Sequence, residues 1–208
     1  MKKAIILIFA LIFLGSVHAE KIADKQNDVM YVEWNENLNS YKAISSNKPN
    51  IDIKEISYEI SNGGIILKLK VYGKIENSDK VFYWMYLNTT GRSYYIVFSN
   101  QTEICYSIKG EDISTCMQGE IEYEDDTIFA KFETAELGDI KEFFAYSSEY
   151  EKIGVDNKWH GDWAPDKFAP AFEKEQEEEQ KTKEKKGLPG FELIFLLFAL
   201  ALILWRKR

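Results

Sequence analysis

The chain's thiols and imidazoles are Cys105, Cys116, His18 and His160. Four such groups, two of them histidines far apart, make a poor zinc set, and no Ser/His or Cys/His catalytic motif accompanies them. The cysteines flank Gly110-Glu111 symmetrically. If those two residues form a tight hairpin turn, every position faces its mirror image, and Cys105 lies opposite Cys116. Directly opposed Cβ atoms sit about 5 Å apart, close to disulfide geometry. A two-residue turn makes this a hydrogen-bonded pair, the less comfortable kind for a bridge; a longer loop would change that. A structural disulfide is the expectation.

Trp159 and Trp163 lie in the polar stretch Asn157-Lys158-Trp159-His160-Gly161-Asp162-Trp163. A flat exposed indole can stack on the apolar face of a sugar ring, so both are ligand-binding candidates. Trp84 sits in an apolar strand and is expected in the core. Asp24, Asp28, Asp162 and Asp166 are hard oxygen donors of the kind Ca²⁺ takes. No loop carries a calcium-binding spacing, so the expectation is solvated turn aspartates and no metal. His160 with Met85 or Met117 would be the available haem ligands, with no cofactor motif beside them; no cofactor is expected. Asn88-Thr89-Thr90 and Asn100-Gln101-Thr102 are N-glycosylation acceptors by sequence.

The elements that position these groups read as strands. Hydrophobic residues make up 45% of the 208 residues and aromatics 14%, a bias suited to half-buried pleated surfaces. Ile65, Leu67, Leu69 and Val71 alternate with Ile66, Lys68 and Lys70. Asn62-Gly63-Gly64 turns the chain back onto Ile51 to Ile60, where the step from Ile53 to Ile56 breaks alternation and marks a bulge. Val29 to Trp34, Val81 to Leu87, Ser93 to Ser99, Glu103 to Ile108, Ile113 to Met117, Glu120 to Glu124, Thr127 to Phe132 and Phe143 to Ser147 follow the same pattern. Ala135 to Lys141 reads as a short helical turn. Many short strands with regular breakers predict an all-β fold, an antiparallel β-sandwich over residues 24–171. The net charge of −8 disfavours nucleic acid as a partner.

Both ends of the chain are apolar. Met1-Lys2-Lys3, the run Ala4 to Leu14 and Gly15 to Ala19 form a three-part signal peptide, residues 1–19, with a cut expected after Ala19. Residues 172–187 are a charged linker without a large apolar side chain beyond Phe172. Residues 188–208 combine Leu188-Pro189-Gly190-Phe191-Glu192, the apolar run Leu193 to Trp205 and Arg206-Lys207-Arg208. That run makes about 20 Å of helix against a hydrocarbon core of about 30 Å, a marginal transmembrane helix. Basic residues stay on the cytoplasmic side, so both ends predict an outward-facing middle region, tethered to the membrane at the cell surface.

Pro189, Gly190 and Phe191, followed by a short apolar helix and a basic end, resemble the PGF-type C-terminal sorting signal of archaeal surface proteins. The resemblance implies processing by an archaeosortase, with the tail replaced by a lipid. The middle region resembles DOMON-like and family 9 carbohydrate-binding-module-like β-sandwiches. It does so in Pro49 and Asp52, the Gly-Gly hairpin, Lys74-Ile75 after Gly73, Glu136-Leu137-Gly138, Phe143-Phe144-Ala145-Tyr146 and Trp163-Ala164-Pro165-Asp166. That resemblance implies a domain that binds sugars, haem or no known ligand. The expectation is a non-catalytic, surface-anchored envelope protein whose outer domain binds a ligand such as carbohydrate. The alternative is a structural component associated with surface-layer proteins. A haem-binding or hydrolytic domain is the weakest reading.

Overall fold

Alternating side chains decide the architecture. The computed structural model describes residues 18–174, apart from 37, 38, 62, 112, 135, 136, 153 and 154. The expected signal residues 1–17, most of the linker, and Pro189, Gly190 and Phe191 lie outside the described residues. Among the described residues no helix is long and apolar enough to cross a membrane.

The fold is β-sandwich-like: two sheets enclose one hydrophobic core. The strands are β1 (His18–Ala23), β2 (Met30–Asn35), β3 (Ser40–Ser45), β4 (Ile53–Ser61), β5 (Gly64–Val71), β6 (Val81–Thr89) and β7 (Arg92–Phe98). They continue with β8 (Thr102–Ile108), β9 (Ser114–Cys116), β10 (Glu120–Glu124), β11 (Thr127–Glu133), β12 (Ile140–Lys152), β13 (Val155–Ala164) and β14 (Glu173–Lys174). The smaller sheet has the order β1-β4-β5-β11-β10, and the larger β14-β3-β2-β13-β12-β6-β7-β8-β9. Pairing is antiparallel except where β14 joins β3 in parallel.

The hairpin of β4 and β5 forms where the glycines predict it, with Ile60 opposite Ile65 and a register shift between Ile53 and Glu55 at the anticipated bulge. Gly63 adopts φ +83°, a conformation open to glycine because it lacks a Cβ. One face of β5 supplies Ile65, Leu67, Leu69 and Val71 to the core. The opposing face of β6 supplies Val81, Tyr83, Met85 and Leu87, and Ile56, Ile96, Ile128 and Ala145 fill the space between the sheets. Burying such side chains contributes about 1.5–3 kcal/mol each, which makes this double layer the main stabilising feature.

Several expectations change. Ile140 and Lys141, read as part of a helical turn, begin β12 instead. The polar stretch Asn157 to Trp163, which carries no strand assignment from the sequence, is the body of β13 and sits between β2 and β12. The expected cut after Ala19 falls within β1 as described, His18–Ala23, and remains an expectation, as does the linker in which β14 lies. Trp84 is not in the core. Its neighbours Tyr83 and Met85 point inward, so Trp84 faces outward and is half-buried.

Candidate functional site: an aromatic face and an acidic pocket

Period-two alternation gives β6 and β12 an inward row with Val81, Tyr83, Met85, Phe143 and Ala145 and an outward row with Phe82, Trp84, Tyr86, Phe144 and Tyr146, to which β13 adds Trp159 and Trp163. The outer face of the larger sheet is therefore an aromatic field. Tyr146 lies opposite both Trp84 and Trp163, and Tyr150 lies opposite Trp159. Tyr146 stacks on Trp163 at 4.8 Å between ring centroids and 24° between planes. Tyr41 meets the Trp159 ring edge-on at 5.0 Å, and Trp34 meets Tyr41 at 4.8 Å. Tyr86 stacks on Phe144 at 4.7 Å and 8°. Separations and tilts of this kind are those that aromatic quadrupoles favour.

The field is organised around one glycine. Gly161 pairs with Ser148 in the row between Tyr146–Trp163 and Tyr150–Trp159. A Cβ at Gly161 would lie 3.0 Å from Trp163 Cη2, 3.1 Å from Tyr146 Cε2 and 3.2 Å from Trp159 Nε1. Three rings thus lean over bare backbone, and this brings Trp159 and Trp163, the two predicted ligand-binding residues, to one place. After β13 the chain forms a 3₁₀ turn, Asp166–Phe168, and returns to pair with β3. On the way Phe168 stacks on Phe144 at 4.3 Å and Phe172 packs on Trp163 at 5.5 Å. The strap covers part of the aromatic face.

The aspartates are not the solvated turn residues expected. Asp24 and Asp28, from the loop between β1 and β2, meet Asp162 of β13, and one carboxylate oxygen from each lies within 4.8 Å of the others. Asp162 is 2% exposed and accepts hydrogen bonds from the Ile53 amide at 2.6 Å and the Trp163 amide at 2.9 Å. Asp52, 1% exposed, accepts one from the Asn27 amide at 2.8 Å. Asp166 stays at the surface, paired with Lys25. Burial, reinforced by Asp28, pushes the Asp24 carboxyl up to about 7. Burial and the Asp166 charge raise Asp28 to about 6, and burial raises Asp162 to about 8 despite its two amide donors. Burial also raises Asp52. Charge without solvation or a counter-charge is the common cause.

The remaining candidates are placed as follows. Cys105 and Cys116 form a disulfide and are directly opposed across β8 and β9. The Met117 amide donates to the Ile104 carbonyl at 2.9 Å, on the flank of the pair, so the cysteines are a non-hydrogen-bonded pair rather than the hydrogen-bonded one a two-residue turn would give. The longer connection between Ile108 and Ser114 accounts for the change. Asn100 is exposed in the turn before β8, whereas Asn88 is half-buried on β6 and donates to Glu142 at 3.2 Å. The haem ligands do not converge. Met85 faces the core opposite Ala145, and His160 lies opposite Glu149, four residues further along β12, or about 13 Å. Met117 follows β9 at the far edge of the same sheet. His160 instead shares a hydrogen bond with Ser46 Oγ through Nδ1 at 2.9 Å.

Sequence reasoning missed Trp34, Tyr41, Tyr146 and Tyr150 as members of the aromatic field, and Asp52 as a buried carboxylate. For Tyr146 and Tyr150 the signal was the alternation of β12, and for Trp34 that of β2, once the inward row is known. No protein-family model, curated protein or solved structure matches the chain.

Proposed function

We propose that this is a non-catalytic, surface-anchored envelope protein whose antiparallel β-sandwich domain is a carbohydrate-binding module. The observation that carries the reading is the cluster of Trp159, Trp163 and Tyr146 around Gly161 on one sheet face. Ring faces of this kind hold sugars by stacking on their C–H surfaces. The apolar, base-flanked ends support export and tethering, with the Pro189-Gly190-Phe191 tail as an archaeosortase substrate and Asn88 and Asn100 as glycan acceptors. Removal of residues 1–19 would leave Glu20 as the new N-terminus, keeping the bond from Tyr58 Oη to Glu20 at 2.8 Å.

A glycan array probed with the detergent-purified protein tests the binding reading. Binding that is lost in Trp159→Ala and Trp163→Ala supports it. One observation favours the alternative of a structural component beside surface-layer proteins: Phe168 and Phe172 already occupy part of the aromatic face. An empty array together with concentration-dependent assembly in sedimentation would establish that alternative. Intact-mass analysis of protein from its native membrane tests the terminal cuts, the lipid and the glycans together.

A further inference from the structure

The acidic cluster on the inner side of β13 holds more carboxylate than its donors can satisfy. Asp24, Asp28 and Asp162 converge from two separate parts of the chain. Asp52 lies beside the same loop: its Oδ2 accepts from the amide of Asn27, the residue before Asp28, and Asp52 is 1% exposed. Four buried carboxylate oxygens, Asp24 Oδ2, both of Asp28 and Asp52 Oδ1, have no hydrogen-bond donor. Lys25, the nearest cation in sequence, points outward to Asp166. Unpaired buried carboxylates are strongly disfavoured, and native folds resolve them with a proton, a basic side chain or a metal.

The backbone around the pocket is shaped for the last of these. Asn27 adopts φ +65° in the Asp24–Asp28 loop, whose two carboxylates both approach Asp162. The Ile53 and Trp163 amides fix the Asp162 carboxylate in place. The donor set is oxygen only, which selects a hard cation over zinc or copper. Mg²⁺ keeps several waters and takes one or two carboxylates, so a protein cluster of several carboxylates suits Ca²⁺ better.

We propose that Asp24, Asp28, Asp52 and Asp162 form a Ca²⁺ site that staples the β1–β2 loop to the entry of β4 and to β13. Because Asp162 is next to Trp163, the ion also holds the strand that carries the aromatic face. The site does not depend on that face binding sugar.

The test uses the full-length protein in detergent, stripped with EGTA. Calorimetric titration with Ca²⁺ is expected to show one ion per chain. At a Ca²⁺ concentration about a hundred times Kd, the melting temperature is expected to rise by about 5–10 °C, and by clearly less in Mg²⁺ at the same concentration. Tb³⁺ substituted for Ca²⁺ is expected to luminesce on tryptophan excitation, through Trp163. Asp28→Asn is expected to weaken Ca²⁺ at least tenfold, while Asp125→Asn, at an exposed turn, leaves it unchanged. If Asp28→Asn does not fold, the wild-type melting shift and the tryptophan-sensitised Tb³⁺ signal decide alone. No ion bound at millimolar Ca²⁺, equal shifts from Ca²⁺ and Mg²⁺, or unchanged affinity in Asp28→Asn would each overturn the proposal.

Discussion

Replacing Gly161 with alanine tests whether the aromatic face is built around bare backbone. Two effects oppose each other. Alanine in a strand is favoured over glycine by about 0.5–1 kcal/mol, because glycine loses more backbone freedom on folding. Against this, the new methyl would meet Trp163, Tyr146 and Trp159 at 3.0, 3.1 and 3.2 Å. Comfortable carbon contacts begin near about 3.5 Å, so all three rings must shift by a few tenths of an ångström. They cannot shift independently: Tyr146 is stacked on Trp163, and Phe172 packs on Trp163 in turn. Overpacking of this kind costs about 1–3 kcal/mol. The net is a loss of about 1 kcal/mol, or about 2–4 °C in melting temperature for a domain of this size. Gly161→Val, with two further methyls, is expected to lose about twice as much. Thermal unfolding monitored by near-ultraviolet circular dichroism reads both the stability and the tryptophan environment. A Gly161→Ala protein that is as stable as wild type, with an unchanged aromatic spectrum, would refute the packing argument.

Three further outcomes follow from other parts of the fold. Cys116→Ser opens a loop of sequence separation 11 and is expected to cost about 3 kcal/mol, or about 6–12 °C; reductant should reproduce the shift in wild type and do nothing to the variant. Burial opposes the charge on Glu149, but hydrogen bonds from Lys48 at 2.5 Å and Asn50 at 2.9 Å outweigh it and hold the carboxyl below its usual range. Its folded form therefore favours the charged state, so the stability it lends is present above the usual glutamate range and lost as pH falls; Glu149→Gln should flatten that acid limb in pH-dependent melting curves. Burial, then the Glu20 carboxylate, raises the Tyr58 phenol to about 12, and burial raises Tyr83 and Tyr146 as well. Because the folded state disfavours these phenolates, stability is lost as pH rises past the usual value near 10. Absorbance titration should show this group ionising only together with unfolding, and a single step near pH 10 for all 12 tyrosines in a folded protein would contradict it.

The sequence by itself determined whatever is local. Alternation in Ile65 to Val71 set an inward row, Asn62-Gly63-Gly64 set a turn, and the mirror spacing about Gly110-Glu111 paired Cys105 with Cys116. These are statements about neighbours along a strand or across one hairpin, where a period of two and a turn of known length suffice. Tertiary structure decided which face of each strand is covered. Along Val81 to Leu87 both rows are largely apolar, so periodicity could not say that Tyr83 and Met85 face the smaller sheet while Trp84 faces out. Nor could it read Asn157 to Trp163 as a strand, because its polar residues break the alternation and its partners β2 and β12 are, respectively, remote in sequence and on the other side of a hairpin. The acidic pocket is the clearest case. Asp24, Asp28, Asp52 and Asp162 are unremarkable where they stand in the chain, and only the closing of the two sheets removes the water that would otherwise solvate them.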